Sequence, residues 1–227
     1  MLRKITDYKH DYHSFLGAYA KFINARNVVE IGVQTGDCAT FLVDAVTING
    51  GKYYGYDIWE SIGVYNSDNV DVDDIRHKLI MEGYNSNFYK LTKINTHSEE
   101  FKDVLCNDTN GVIDFAFIDG DHSYEGVKKD FETVYPMLSE EGSIAFHDTY
   151  SHAGCRKFVL DLYEKYNDGT FDIINLPYGG GHARFGLTIL VKRSYPIYRS
   201  GITNIDHEFG KLSADDVYDA ETDWLNK

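Results

Sequence analysis

Five short apolar runs alternate with amphipathic helical patterns, and two more runs follow with only a glycine-rich loop between them; together they predict an α/β protein. The alternation implies βαβ units and a mostly parallel, doubly wound sheet. The last two runs lack a crossover helix, so they predict a C-terminal antiparallel hairpin at the sheet edge, for seven strands in all.

The elements follow in order. Tyr12, Phe15, Leu16, Tyr19 and Ile23 recur at helical spacing, so an amphipathic helix precedes the sheet. Strand-like runs cover residues 27–32, 52–57, 88–95, 112–118 and 143–147. The clearest helix between them places Tyr124, Val127, Phe131, Val134 and Leu138 at steps of three and four. Another sets Cys155, Phe158, Val159, Leu162, Tyr163 and Tyr166 on one face. Residues 171–176 and 185–192 form the hairpin, joined by 177–184 with Gly179, Gly180 and Gly181. The pattern is Rossmann-like, but it departs from a dehydrogenase domain, whose last strands are all parallel. With 227 residues and no internal repeat, the sequence fits one domain over 1–193, N-terminal helix included. Residues 194–227 are polar and read as a peripheral extension or a dimer contact.

Hydrophobic residues make up 43% and only 3 residues are proline, which excludes disordered and collagenous classes. Against 22 basic side chains stand 36 acidic ones, a net charge of −14 with no basic cluster. Nucleic acid is therefore a poor partner, because phosphate binding relies on Lys and Arg. A small or neutral substrate suits this field better, and a homo-oligomer is left open. Cys38, Cys106 and Cys155 are odd in number and lack a CxxC, which argues against a disulfide framework or zinc cage. No leader-like apolar region opens the chain, and no stretch approaches ~18 uninterrupted apolar residues. A cytoplasmic protein without membrane attachment is expected.

In open parallel sheets, ligands bind beyond the carboxyl ends of the strands. The first strand runs into Glu30-Ile31-Gly32-Val33-Gln34-Thr35-Gly36. Gly32 and Gly36 allow a tight turn and close backbone approach to a ligand. The dinucleotide fingerprint GxGxxG is absent, since Gln34 takes its middle position. Asp57 ends the second strand, where a carboxylate can accept from both ribose hydroxyls of an adenosine. Ile58 and Trp59 follow, placed to pack on an adenine face. Ser98, after the third strand, is placed either for the adenine edge or, with Thr96, as a cap for the next helix.

The fourth strand ends in Ile118-Asp119-Gly120-Asp121-His122 and the fifth in Phe146-His147-Asp148. Neighbouring strand ends thus each bring a carboxylate and an imidazole. Asp119, His147 and Asp148 are candidate ligands of a divalent cation, Mg²⁺ or a similar hard ion. His122, three residues past Asp119, can face the same cleft as a general base. Taken singly, Asp121 or Ser123 reads as a helix cap, and His152 as a surface residue.

VVEIGVQTG resembles the first S-adenosylmethionine (SAM) binding motif of class I methyltransferases. FIDGDHSYEGVKKDFE followed by GSIAFHDTY resembles the group related to macrocin-type sugar O-methyltransferases, and the likeness covers residues 27–192 in order and spacing. It implies SAM as cofactor, with Glu30, Gly32 and Gly36 at the methionine end and Asp57 at the ribose. It implies Mg²⁺ held by Asp119 and Asp148, with His147 standing where the group has the first acid of a pair. It also implies His122 as the base beside Asp119, and the hydroxyl of a small molecule, sugar or nucleotide sugar as acceptor. Two alternatives belong to other classes. An NAD-dependent oxidoreductase conflicts with the missing middle glycine and the edge hairpin. A non-catalytic SAM- or nucleotide-binding protein would keep the Glu30–Asp57 half and tolerate loss of His122. A DNA or RNA methyltransferase would carry an Asn/Asp-Pro-Pro-Tyr/Phe motif after strand four, where Asp119-Gly120-Asp121-His122 stands.

Overall fold

In the computed structural model, which describes residues 12–60, 70–166, 169–176 and 185–193, helices and strands alternate as the apolar pattern requires. Their order is α1 (Tyr12–Phe22), β1 (Asn27–Ile31), α2 (Asp37–Asn49), β2 (Lys52–Asp57), α3 (Val72–Met81), β3 (Tyr89–Lys93), α4 (Phe101–Thr109) and β4 (Ile113–Ile118). Then come α5 (Tyr124–Val134), β5 (Leu138–His147), α6 (Ala153–Asp161), β6 (Phe171–Leu176) and β7 (Leu187–Lys192). The seven strands form one sheet, β3-β2-β1-β4-β5-β7-β6. β1 to β5 pair in parallel, whereas β7 is antiparallel to both β5 and β6.

Neighbouring residues along each strand serve opposite faces, as a period of two demands. Val28, Tyr53, Phe115 and Phe117 pack with Leu16, Leu42, Ile75 and Leu79 from α1 to α3. Val29, Ile31, Tyr56, Ile118 and Phe146 pack with Phe101, Phe131 and Phe158 from α4 to α6. Burial on both faces explains why the central strands read as continuous apolar runs. Strand order reverses between β1 and β4, where the chain leaves for opposite halves of the sheet. Ile31 stands level with both Tyr56 and Ile118, so the carboxyl ends of β1, β2 and β4 open at one height.

Most strand ends lie within two residues of the sequence expectation, and three boundaries differ in kind or by more. The helical stripe continues to Leu138, but α5 stops at Val134 because Pro136, which has no N–H to donate, sits in a tight turn over Tyr135–Met137. Leu138 instead opens β5, five residues ahead of the predicted start, through a register shift between Ile113 and Phe115. α6 ends at Asp161 and widens into a looser turn over Leu162–Tyr166. The glycine loop 177–184 and the segment 194–227 lie outside the described residues. No helix among the described residues is long and apolar enough to cross a membrane.

Candidate active site

The turn after β1 is bound to its neighbours by backbone. Gly32 has φ +88, and a Cβ there would lie 2.2 Å from the carbonyl oxygen of Asp119. Gly36 has φ +69, and its Cβ would meet Ile75 Cγ2 at 2.8 Å. Both glycines turn the chain as expected. At both positions the place of a Cβ is taken by this chain's own atoms, so close packing within the chain itself requires glycine there. Glu30 lies beneath the turn, fully buried, and its Oε2 accepts from the Tyr53 hydroxyl at 2.5 Å. Burial pushes the Glu30 carboxyl well above the usual range, against the pull of that hydrogen bond.

Asp57 closes the next corner. Its Oδ2 accepts from the Gln34 N–H at 2.8 Å and its Oδ1 from the Trp59 N–H at 2.7 Å. Both amides belong to residues with left-handed backbone, φ 46 at Gln34 and φ 40 at Trp59. Each carboxylate oxygen retains a second lone pair. The Trp59 indole is buried in the first core and donates to the Gln34 carbonyl at 3.2 Å, so it is not free to cover an adenine. Ile58 stays half-buried. Beyond β3, the N-terminus of α4 at Glu100 has no side-chain cap, so neither Thr96 nor Ser98 serves as one. Ser98 Oγ is buried and makes no hydrogen bond among the described residues. Beside it, His97 Nε2 lies 3.4 Å from Oδ1 of the fully buried Asp130, whose carboxylate raises the His97 pKa.

The ends of β4 and β5 converge on a cluster of imidazoles and carboxylates. His122 Nε2 lies 3.3 Å from Asp119 Oδ1 and 3.3 Å from Asp148 Oδ2. His147 Nδ1 lies 3.1 Å from Asp119 Oδ1 and 3.4 Å from Asp148 Oδ2. His152 Nδ1 joins them, 3.3 Å from Asp148 Oδ2. Ser123 caps α5, accepting from the Gly126 N–H at 3.0 Å, and this fixes His122 on the residue before the cap. Asp148 has left-handed backbone, φ 56, an unusual conformation for a residue with a side chain.

These contacts set the charges. The hydrogen bond to Asp119 raises the His122 pKa despite burial. Burial acts to lower His147, but Asp119 and Asp148 outweigh it and lift the imidazole to about 9. Burial likewise opposes ionisation of Asp148, yet His147 and the Ser151 hydroxyl hold it at about 2. Asp119 is lowered against its burial by His122 and His147.

The structure therefore brings Asp119, His122, His147 and Asp148 together, as the sequence suggested. It also adds two residues that sequence reasoning missed. His152 reads as surface from its neighbours, but its spacing of four from Asp148 was a usable signal. Tyr12 reads as a core position of α1, yet its ring stacks on His147 with centroids 4.2 Å apart. The donor set does not suit Mg²⁺, a hard ion that favours an oxygen shell. Asp119 and Asp148 each face imidazole nitrogen, and His147 brings nitrogen where an acid is needed.

Residues 29–149 match the family model of a methyltransferase domain. The chain belongs to that methyltransferase family. This methyltransferase is 26% identical over 132 residues to the uncharacterized protein y4gI of Sinorhizobium fredii, a match that spans 56% of this chain and 13% of that relative. The chain thus spans a small part of that relative's length. Its fold is shared with the O-methyltransferase TomG of Streptomyces achromogenes, involved in tomaymycin synthesis and solved with SAM (TM-score 0.64, 13% identity, 81% of this chain and 80% of that one). An O-methyltransferase from Bacillus cereus solved with SAH is similar too (TM-score 0.63, 17% identity, 82% and 84%). So is an rRNA methylase from Streptococcus thermophilus (TM-score 0.57, 14% identity, 86% and 99%). At these identities the likeness is one of fold. It bears out the class I, Rossmann-like sheet with its terminal hairpin, and it does not choose the acceptor.

Proposed function

We propose that this methyltransferase uses SAM to methylate the hydroxyl of a small molecule, with His122 accepting the hydroxyl proton. The observation that carries the reading is His122 Nε2, held 3.3 Å from both Asp119 and Asp148 at the carboxyl ends of β4 and β5. An Nε2–H facing two carboxylates leaves the lone pair on Nδ1, the nitrogen that takes the proton. Asp119 and Asp148 then stabilise the imidazolium that forms.

SAM, when bound, supplies the methyl group on a sulfonium leaving group. Glu30 and the Gly32–Gly36 turn would hold its methionine end and Asp57 its ribose, through the lone pairs that the Gln34 and Trp59 amides leave. Ile58 and Ser98 would meet the adenine, and Asp119 lies across the crevice. Ser98 Oγ supports this fit, since a buried hydroxyl without a partner costs ~1–3 kcal/mol and an adenine edge would relieve it. The acidic balance of 36 to 22 favours a small acceptor over RNA, and the macrocin-type resemblance favours a sugar or nucleotide sugar.

Labelled SAM and a panel of phenols, sugars, nucleotide sugars and RNA provide the test. Methyl transfer to a hydroxyl, cut by about 10²–10⁴-fold in His122→Ala with SAM affinity retained, is the expected result. Transfer to RNA alone, tighter binding of NAD than of SAM, or SAM binding without turnover would each overturn the proposal.

A further inference from the structure

The same imidazoles that exclude Mg²⁺ suit another class of ion. We propose that His122 Nε2, Asp148 Oδ2 and His152 Nδ1 form a binding site for a divalent first-row transition ion such as Zn²⁺, Co²⁺ or Ni²⁺. The donor atoms of these three residues all lie within 4.8 Å of one another, and each imidazole nitrogen is 3.3 Å from the carboxylate oxygen. Two donors each bonded at ~2.0–2.1 Å to one tetrahedral ion stand about 3.3 Å apart, so the spacing needs little adjustment. Two imidazoles and one carboxylate are the donors this class of ion prefers.

The surroundings orient each donor. The Ser151 hydroxyl donates to Asp148 Oδ1 at 2.5 Å, which turns Oδ2 toward the imidazoles. The His152 N–H donates to the Asp148 carbonyl at 3.0 Å, closing the turn that returns His152 to its partner. Gly154 lets α6 lie against the backbone of His122, for a Cβ there would be 2.3 Å from the His122 carbonyl oxygen. That contact brings the two rings to 4.3 Å between centroids. Both imidazoles are about one-third exposed, 34% and 35%, so an ion can enter from solvent. Asp119 and His147 pair with each other at 3.1 Å and need not join the set.

An ion on His122 Nε2 displaces the proton that the carboxylates hold there. That proton moves to Nδ1, where it occupies the lone pair that accepts from substrate, so the ion inhibits methyl transfer. This consequence rests on the proposed role of His122, whereas binding does not.

Metal-free protein is titrated with Co²⁺, read by its visible absorption, and with Zn²⁺, read by calorimetry. One ion per chain is expected, displaced by Zn²⁺ but not by Mg²⁺. His152→Ala and His152→Asn, each checked by thermal melting, should weaken binding at least about tenfold, and Asp119→Asn should leave it in place. Unchanged affinity in both folded His152 variants, displacement by Mg²⁺, or no binding would overturn the site. Inhibition by Zn²⁺ in the methylation assay supports both the site and the base. Zn²⁺ binding without inhibition supports the site and removes the base role from His122.

Discussion

His147 Nδ1 lies 3.1 Å from Asp119 Oδ1, tying the carboxyl end of β5 to that of β4 by an ion pair that is largely shielded from solvent. The imidazole is lifted to about 9, so the folded state holds its proton more tightly than the unfolded chain does. Its stabilising effect is complete below the ordinary imidazole pKa of ~6.5 and fades as pH rises through about 9. The size is at most about 3.5 kcal/mol, given ~1.4 kcal/mol per pKa unit. Between these pH values the wild-type Tm should fall more steeply than that of His147→Asn, which keeps a polar group but cannot titrate. Parallel Tm–pH curves would remove the ion pair from the stability argument.

As the proposed base, His122 should set a second pH dependence, in activity. It must be neutral to accept a proton, and Asp119 raises its pKa. The methylation rate should therefore rise with pH, with a midpoint above the ordinary ~6.5. Asp119→Asn should lower kcat and also move the midpoint down toward that value. A midpoint that stays in place in the variant would detach Asp119 from the base.

The glycine turn yields a prediction on folding. At Gly32 the backbone is at φ +88 and an added Cβ would meet the Asp119 carbonyl at 2.2 Å. Gly32→Ala therefore needs either a strained left-handed alanine or a parting of β1 from β4. A loss of about 1–3 kcal/mol for the backbone alone is expected, and more with the clash. Gly50→Ala is the control, with φ +69 but open space around its Cβ. Equal denaturation midpoints for the two variants would show that the clash is relieved without cost.

The strand cores were legible because both sheet faces are buried, so Val28-Val29 and Phe115-Ala116-Phe117 give unbroken apolar runs. The start of β5 was hidden, since Ser139, Glu140 and Glu141 carry no strand pattern and the helical stripe runs on to Leu138. Asp119, His122, His147 and Asp148 could be found because strand ends locate them. Tyr12 reaches His147 from α1, which is distant in sequence but packs on the same face of the sheet, and no local pattern reports such a contact. The glycines at 32 and 36 announced a turn, but what fills the space beside them depends on Asp119 and Ile75, far along the chain. Trp59 likewise looked free because it lies beyond the end of β2, outside any periodic pattern, whereas its ring belongs to the first core.

Asp57 has an observed role and a proposed one, which one substitution mixes and two separate. Its oxygens hold the Gln34 and Trp59 amides at 2.8 and 2.7 Å, which shapes the corner between β1 and β2. The proposed ribose contacts use the lone pairs that remain. Asp57→Ala loses both, so it should lower Tm and weaken SAM, each charge-assisted bond being worth about 1.5–3 kcal/mol. Asp57→Asn keeps one acceptor oxygen for the clamp and turns the other position into a donor. It should retain most of the stability yet still lose SAM affinity, because a ribose hydroxyl then faces an amide N–H already close to a backbone N–H. Calorimetry with SAM, run beside thermal melts of both variants, reads the two effects apart. If Asp57→Asn melts below wild type but binds SAM equally well, the carboxylate is a clamp alone, and the ribose must be held elsewhere.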